Sequence, residues 1–239
     1  MKHILLMAVL AMAGISAQSQ GLKGLINKAK QAVSGTTAAD AAGSDIAEGL
    51  KAALTQGAEK GTAVLSKPDG FFANAALKIL MPPEAQKIET TLRRVGMGRQ
   101  VDEAVLSMNR AAEEACKSAA PIFINAIRQM SFQDAVSILR GPDTAATGYL
   151  RNKTTVELTN AFRPVIEQSL QKVDATKYWN GLISGYNKFT LQKINPDLVA
   201  YVTERALNGI FLQIADEEKN IRQNPMARTS DILRKVFAK

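Results

Sequence analysis

Histidine is nearly absent from this sequence: the chain of 239 residues has one, His3, and it also has one cysteine, Cys116. His3 falls in a segment that we expect to be removed on export, so the mature protein would contain no imidazole. That excludes Ser–His and Cys–His nucleophilic pairs and histidine-containing zinc or iron sites. The lone cysteine lies beside an apolar helical stripe, which predicts a buried structural thiol without a disulfide partner.

Long apolar runs are missing too. The run that begins at Ile4, ILLMAVLAMAG, is well short of the roughly 20 residues that a membrane-spanning helix needs, and no later segment is long and apolar enough. Lys2 precedes this run and a small residue, Ala17, follows it, which is typical of a secretory signal peptide. We therefore predict that residues 1–17 are cleaved off after Ala17, leaving a periplasmic or secreted protein without a transmembrane segment.

The charge balance is basic. The formal net charge is +8, and removal of Lys2 with the signal lowers it to +7. If the protein is exported, its positive charge favours binding to an anionic lipid, a glycan or another protein of the envelope over binding to nucleic acid. The alternative is that the positive charge only keeps the protein soluble.

Helical periodicity dominates the rest of the chain, and no segment shows the alternation that is typical of strands. The sequence predicts an all-α fold, a single-domain multi-helix bundle that spans residues 44–239. A signal peptide (1–17) and a segment with a short N-terminal helix (18–43) precede the bundle, and residues 34–43 of that segment are predicted to be a flexible linker. The centre of the bundle is a helical stripe of apolar residues spaced three or four apart: Val101, Val105, Met108, Ala112, Ala115, Ala119, Ile122, Ala126 and Met130.

Local signals predict where several helices begin and end. FFANAALKIL, residues 71–80, is expected to be a short helix, and Pro121 should break the long helix after Ala120 because proline lacks the amide donor. Ser131 and Asp134 have capping-box spacing, as do Thr154 and Glu157. The charged residues between Asn109 and Lys117 predict a solvated face, as does the run DEEKNIRQ, residues 216–223.

Small residues recur every four positions in the helix predicted from residue 44 onward, at Gly49, Ala53, Gly57 and Gly61. Glycine inside a helix costs about 1 kcal/mol relative to alanine. The spacing therefore predicts that a partner helix packs closely on this ridge. An exposed apolar groove along it would instead indicate a structural interaction module.

Two segments are candidate sites for an anion or a partner. In GPDTAATGYLR, Asp143 and Thr144 can start a helix whose free amides, including that of Thr147, lie between Arg140 and Arg151. The same atoms can equally be simple helix caps. A second, weaker candidate is RRVGMGRQ, which carries Arg93 and Arg99 around two glycines. We predict no catalytic or metal-binding residues and no cofactor.

The landmarks EGLKAAL, DGFFAN, AAPIFINAI, MSFQDAVSILRG, DTAATGYL and EEKNIRQNPMARTSDILRKVF together resemble the bacterial exported family catalogued as domain of unknown function 4197. The resemblance covers nearly all of the mature chain, with MPPE in place of an expected Leu-Pro pair. It implies a secreted or periplasmic helical protein, and it brings no activity or catalytic residues.

These observations favour a non-enzymatic exported protein that binds a partner, or an amphiphilic or anionic ligand, in the bacterial envelope. The alternative is a histidine-free hydrolase that uses two carboxylates from the set Glu113, Asp134, Asp143 and Glu157. Carboxylates that converge in a cleft would favour catalysis, whereas carboxylates that are exposed or used as caps would favour binding.

Overall fold

The structure is a computed structural model that describes residues 38–172, 179–180, 183–184, 187–188 and 197–224, with side chains from residue 47 onward. The backbone in these ranges is helical, turn or irregular, without a strand, which confirms the predicted all-α class. The predicted signal peptide, the predicted N-terminal helix and the first part of the predicted linker, as far as residue 37, lie outside the described residues.

Seven α-helices and one 3-10 turn are described. Contacts divide the chain into two compact units, Met1–Asp45 and Ile46–Lys239, and all packing discussed below lies within the second. The elements are α1 (Ala38–Leu65), the 3-10 turn Pro83–Ala85, α2 (Gln86–Arg94), α3 (Gly98–Cys116), α4 (Ala119–Arg128), α5 (Phe132–Arg140), α6 (Ala145–Gln171) and α7 (Leu198–Gln223).

Two predicted boundaries near the start of the bundle are wrong. Helix α1 begins at Ala38, inside the predicted linker 34–43, because four alanines between 38 and 42 are strong helix formers that one glycine does not interrupt. Residues 71–80 form successive turns instead of the predicted helix. Their backbone makes turn hydrogen bonds, such as that from the Lys78 amide to the Asn74 carbonyl (2.8 Å), and it also bonds to side chains. The Asn74 side chain accepts from the Ala76 amide (3.0 Å), and Asn109 pairs with Ile79.

Two interior boundaries also differ from prediction. The long helix ends at Cys116 and α4 begins at Ala119, so the break precedes Pro121, which occupies the first turn of α4, where a missing amide costs little. Thr154 does not start a helix but lies inside the continuous α6, and its hydroxyl donates to the Leu150 carbonyl (2.7 Å). The capping box of Ser131 with Asp134 is confirmed, and the helix that it starts, α5, ends before Gly141.

The glycine ridge of α1 packs against α7 of the same chain, which confirms the predicted partner helix but not an approach so close that it requires glycine. A Cβ atom added at Gly57 would lie 3.8 Å from Cδ1 of Ile221, and one at Gly61 would lie 3.4 Å from Cγ of Gln213. Gly57 and Gly61 are both buried. The ridge is therefore covered at these positions, and the exposed groove that would have indicated an interaction module is not found there.

Aromatic side chains pack closely on α7. The rings of Phe123 in α4 and Phe211 in α7 meet edge to face with their centroids 5.8 Å apart. Phe71, which is fully buried, lies against Gly209 so closely that an added Cβ would be 2.5 Å from its Cε1 atom. Glycine is therefore required at position 209 by this contact, despite its cost inside a helix.

Buried polar groups hold the irregular segment 66–82 on α3. The carboxylate of Glu113 accepts hydrogen bonds from the amides of Phe71 (3.1 Å) and Phe72 (3.2 Å) and from Arg110 (2.7 Å). Four residues earlier, Asn109 accepts from the Ile79 amide and donates to its carbonyl, both at 2.8 Å. Both side chains are buried, so the predicted solvated face is wrong at these two positions, although Glu114 and Lys117 are exposed and paired as expected.

Gly209→Ala is expected to lower the free energy of unfolding by about 1 kcal/mol, because overpacking against Phe71 (~1–3 kcal/mol) outweighs the gain in helix propensity (~1 kcal/mol). The matched control is Gly148→Ala in α6, where an added Cβ meets nothing within 4 Å. That variant should gain about 0.5–1 kcal/mol. Urea unfolding measures both, and stabilisation by both substitutions would contradict the close contact at Gly209.

Candidate functional site

The predicted anion site at the start of α6 is already occupied by a carboxylate of the chain itself. Glu218 in α7 accepts hydrogen bonds from the amides of Ala146 (3.0 Å) and Thr147 (2.9 Å) and from the Thr147 hydroxyl (2.8 Å). Thr144 is the N-cap residue, but its side chain makes no capping hydrogen bond. The amides at this helix start therefore do bind an anion, as expected from the helix dipole, but the anion is internal.

Arg222 completes the arrangement around Glu218. Its guanidinium donates to Glu218 through Nε (3.0 Å) and Nη2 (2.8 Å), and Nη2 also donates to the Ile138 carbonyl (2.8 Å). The side chains are 10% and 4% exposed, so α5, α6 and α7 meet at a buried ion pair. The prediction of a solvated run at 216–223 is wrong for Glu218 and Ile221, which are buried because Glu218 continues the apolar stripe from Ile214 to Ile221.

The remaining predicted site residues near α6 are spread over separate contacts. Asp143 accepts from the side-chain amide of Gln223 (2.7 Å) instead of capping α6. Arg151 stacks on Phe211, with 4.4 Å from Cζ to the ring centroid, and donates to Asn208 (3.3 Å). Arg140 is exposed in the last turn of α5.

In the second candidate anion site, Arg93 and Arg99 already form ion pairs with carboxylates of the chain. Arg93 donates to Glu89 (3.0 Å) and to Asp102 (2.8 Å), and these two hydrogen bonds raise its pKa above the ordinary arginine value. Arg99 lies 3.6 Å from Glu103. Arg93 also lines a cleft of about 700 Å³ with a mixed polar and apolar lining, but two carboxylates already neutralise its charge there.

The four carboxylates of the hydrolase alternative have different environments. Glu113 is buried and bonded to backbone amides, whereas Asp143 and Glu157 are exposed. Hydrogen bonds from the hydroxyl and amide of Ser131 hold the pKa of Asp134 below its ordinary value, the opposite of what a general acid requires. None of the four lines either of the two clefts described here.

Cys116 is buried, as predicted, and burial together with the charge of Glu113 raises the pKa of its thiol far above the ordinary value. Within the residues that the structure describes, no three histidine, cysteine, aspartate or glutamate side chains are grouped as a metal site would need. Among the described helices, none combines the length and apolar composition of a membrane-spanning segment.

Sequence reasoning missed a larger cleft, of about 890 Å³, which we call the apolar cleft. It lies beside α2 and α3, near the end of α6 and the start of α7. Trp179, which is 4% exposed, contributes to its wall. Among the described residues, the apolar wall consists of Met81, Leu92, Met97, Val101, Ala104, Leu106, Met108, Trp179 and Leu198, and the polar and charged lining includes Gln100, Glu103, Ser107, Arg110, Glu114, Ser169 and Lys172.

Most charges that line the apolar cleft are already paired. Glu103 lies near Arg99 and Glu114 is bonded to Lys117 (2.6 Å), while Arg110 bridges Glu113 and Asp69. Lys172, directly after α6, is exposed and makes no ion pair with any residue in the described ranges. The described lining therefore offers an apolar wall and one cationic side chain, Lys172, that forms no ion pair with a described residue.

Glu218→Ala should cost about 3–5 kcal/mol of unfolding free energy, because Arg222 and the two amides lose their buried acceptor. Sodium acetate should partly restore stability relative to sodium chloride of equal ionic strength, since its carboxylate can bind the vacated amides. Asp216→Ala, an exposed control in the same helix, should change stability by less than about 0.5 kcal/mol. Equal stabilisation of the unsubstituted protein by acetate would show that the helix start is open to solvent anions.

Comparison with known proteins identifies one family. No curated protein and no solved structure matches the chain. The family model described as a protein of unknown function, DUF4197, matches residues 40–238, which includes every helix described above except the first two residues of α1. This match confirms the resemblance that the sequence motifs indicated, and the chain belongs to the DUF4197 family.

Proposed function

We propose that this chain is an exported, non-enzymatic binding protein of the bacterial envelope that holds an apolar or amphiphilic small molecule in the apolar cleft. The observation that carries the proposal is the cleft itself. Its volume of about 890 Å³ lies within the ~300–1,000 Å³ range of small-molecule sites, and side chains from well-separated parts of the chain form one wall.

The chemistry of the wall supports this proposal. Three methionines, Met81, Met97 and Met108, contribute to it, and the flexible thioether side chain adapts to ligands of different shape. Trp179 and Leu198 add rigid apolar surface. A wall of this kind favours an alkyl or aromatic group over a sugar or a free phosphate, since polar ligands need more hydrogen-bonding groups than it provides.

The contacts of the carboxylates also support binding over the hydrolase alternative. Glu113 serves as a buried acceptor for backbone amides, and Asp134 serves as a helix cap. The signal-peptide pattern of residues 1–17 supports export, and export is the reason to propose a ligand from the envelope instead of nucleic acid.

Export is expected to yield a mature chain that begins at Gln18. Intact-mass measurement of the protein from the periplasmic or secreted fraction of its own host should give the mass of residues 18–239. Ala17→Phe should block processing, because signal peptidase requires a small residue at that position, whereas the control Gln20→Phe should be processed normally. Recovery of the full-length chain in the cytosol would contradict the proposal.

Filling the apolar cleft is expected to block ligand binding. Ala104 lines the cleft and is half-buried, so Ala104→Phe should weaken binding of the uncharged probe N-phenyl-1-naphthylamine by about tenfold or more, roughly 1.4 kcal/mol. Probe fluorescence measures the dissociation constant. The matched control is Ala63→Phe, at an exposed position of α1 outside the cleft lining, which should bind as the unsubstituted protein does.

Thermal unfolding followed by circular dichroism should show that both phenylalanine variants remain folded. If the unsubstituted protein does not bind the probe, or if Ala104→Phe binds it as tightly as Ala63→Phe does, the apolar cleft is not the binding site.

A further inference from the structure

We propose that the occupant of the apolar cleft is a single-chain amphiphile with a carboxylate head, that is, an ionised fatty acid, and that its head pairs with Lys172. This inference rests on the proposed function and adds the chemical class of the ligand. It combines two properties of one lining: an extended apolar wall and an exposed cation without an ion pair among the described residues.

The charge of the head follows from the charges that line the cleft. Glu103 and Glu114 each have a cationic neighbour, and Arg110 is shared between two carboxylates. A cationic head would have to compete with Arg99 and Lys117 for these carboxylates. An anionic head can pair with Lys172 without displacing any ion pair of the described residues, so charge complementarity favours an anion.

The kind of anionic head follows from Lys172, the one cation of the lining that is unmatched among the described residues. Phosphate-bearing heads are usually bound by several arginines or by an array of backbone amides. The amides at the start of α6 are already bonded to Glu218, and Arg93 is already bonded to two carboxylates. One lysine matches one carboxylate, which is why we propose a fatty acid and not a phospholipid.

The tail of the ligand follows from the wall. Leu92, Val101 and Leu198 provide aliphatic contacts, and Met81 and Met97 can adjust to a flexible chain. Burial of each additional methylene should tighten binding by up to about fourfold until the cleft is full. Affinity should therefore rise with chain length over a limited range and then level off.

The protein carries its own reporter for this test. Trp179 is the only tryptophan in the chain, and it lines the cleft. Titration of the mature chain at neutral pH with decanoate, decanol and decyltrimethylammonium compares three heads on one tail. The two ionic ligands are kept below their critical micelle concentrations and decanol is kept below its solubility limit. We expect each bound ligand to change the tryptophan emission, and decanoate to bind about fivefold more tightly than decanol.

Lys172→Met should remove the preference for decanoate over decanol, because the substitution removes the charge and keeps an apolar stem. Lys219→Met is the matched control, since Lys219 is exposed on α7 and does not line the cleft. It should retain the fivefold preference. Lys172 is exposed, so neither substitution is expected to affect folding, and circular dichroism checks this.

The outcomes separate this inference from the proposed function. Equal binding of all three heads, or tighter binding of the cation, would overturn the fatty-acid inference while leaving the apolar cleft a binding site. The same holds if Lys172→Met keeps the preference. Failure of every decyl ligand and of the uncharged probe to bind would overturn both. A dimer that forms with rising protein concentration and excludes the probe would also overturn both, since the cleft would then hold a second copy of the chain.

Discussion

The bundle depends on two buried carboxylates that each accept hydrogen bonds from two consecutive backbone amides. Glu113 holds Phe71 and Phe72, and Glu218 holds Ala146 and Thr147. Each carboxylate also pairs with an arginine from its own helix, so its charge is compensated within the protein. Such an arrangement is strongly destabilised by loss of either partner, because a buried charge or donor would remain unmatched. These contacts join segments that are 41 to 72 residues apart in the chain.

These buried contacts also determine the shape of the candidate site. Asn109, one turn before Glu113, fixes Ile79, and Met81 two residues later contributes to the wall of the apolar cleft. At the other end of the bundle, Glu218 occupies the helix start that would otherwise be the best anion site in the described chain. Buried hydrogen bonds to side chains thus support the wall of the apolar cleft and close the predicted anion site at the start of α6. The proposed function therefore concerns the cleft beside α3 and not the start of α6.

Local sequence signals predicted the structure correctly where the hydrogen-bond donor and its acceptor lie in the same short segment. The capping box of Ser131 and Asp134 is formed as predicted because donor and acceptor lie three residues apart. The same signal was misleading at Thr154, where packing of Leu150 and Leu158 in the core continues the helix through the apparent cap. Pro121 was also misleading as a helix breaker, because the first turn of a helix tolerates proline and the chain breaks earlier.

The sequence alone determined the all-helical class, the family, the buried thiol and the presence of a partner helix on the glycine ridge, since periodicity and residue size carry that information directly. Only the tertiary structure decided which polar residues are buried and where the cleft lies. The role of Glu218 depends on amides 71 and 72 residues away, and the cleft is built from side chains of separate elements. A helical pattern shows which face of a helix is apolar, but it does not show which distant backbone groups or side chains meet that face.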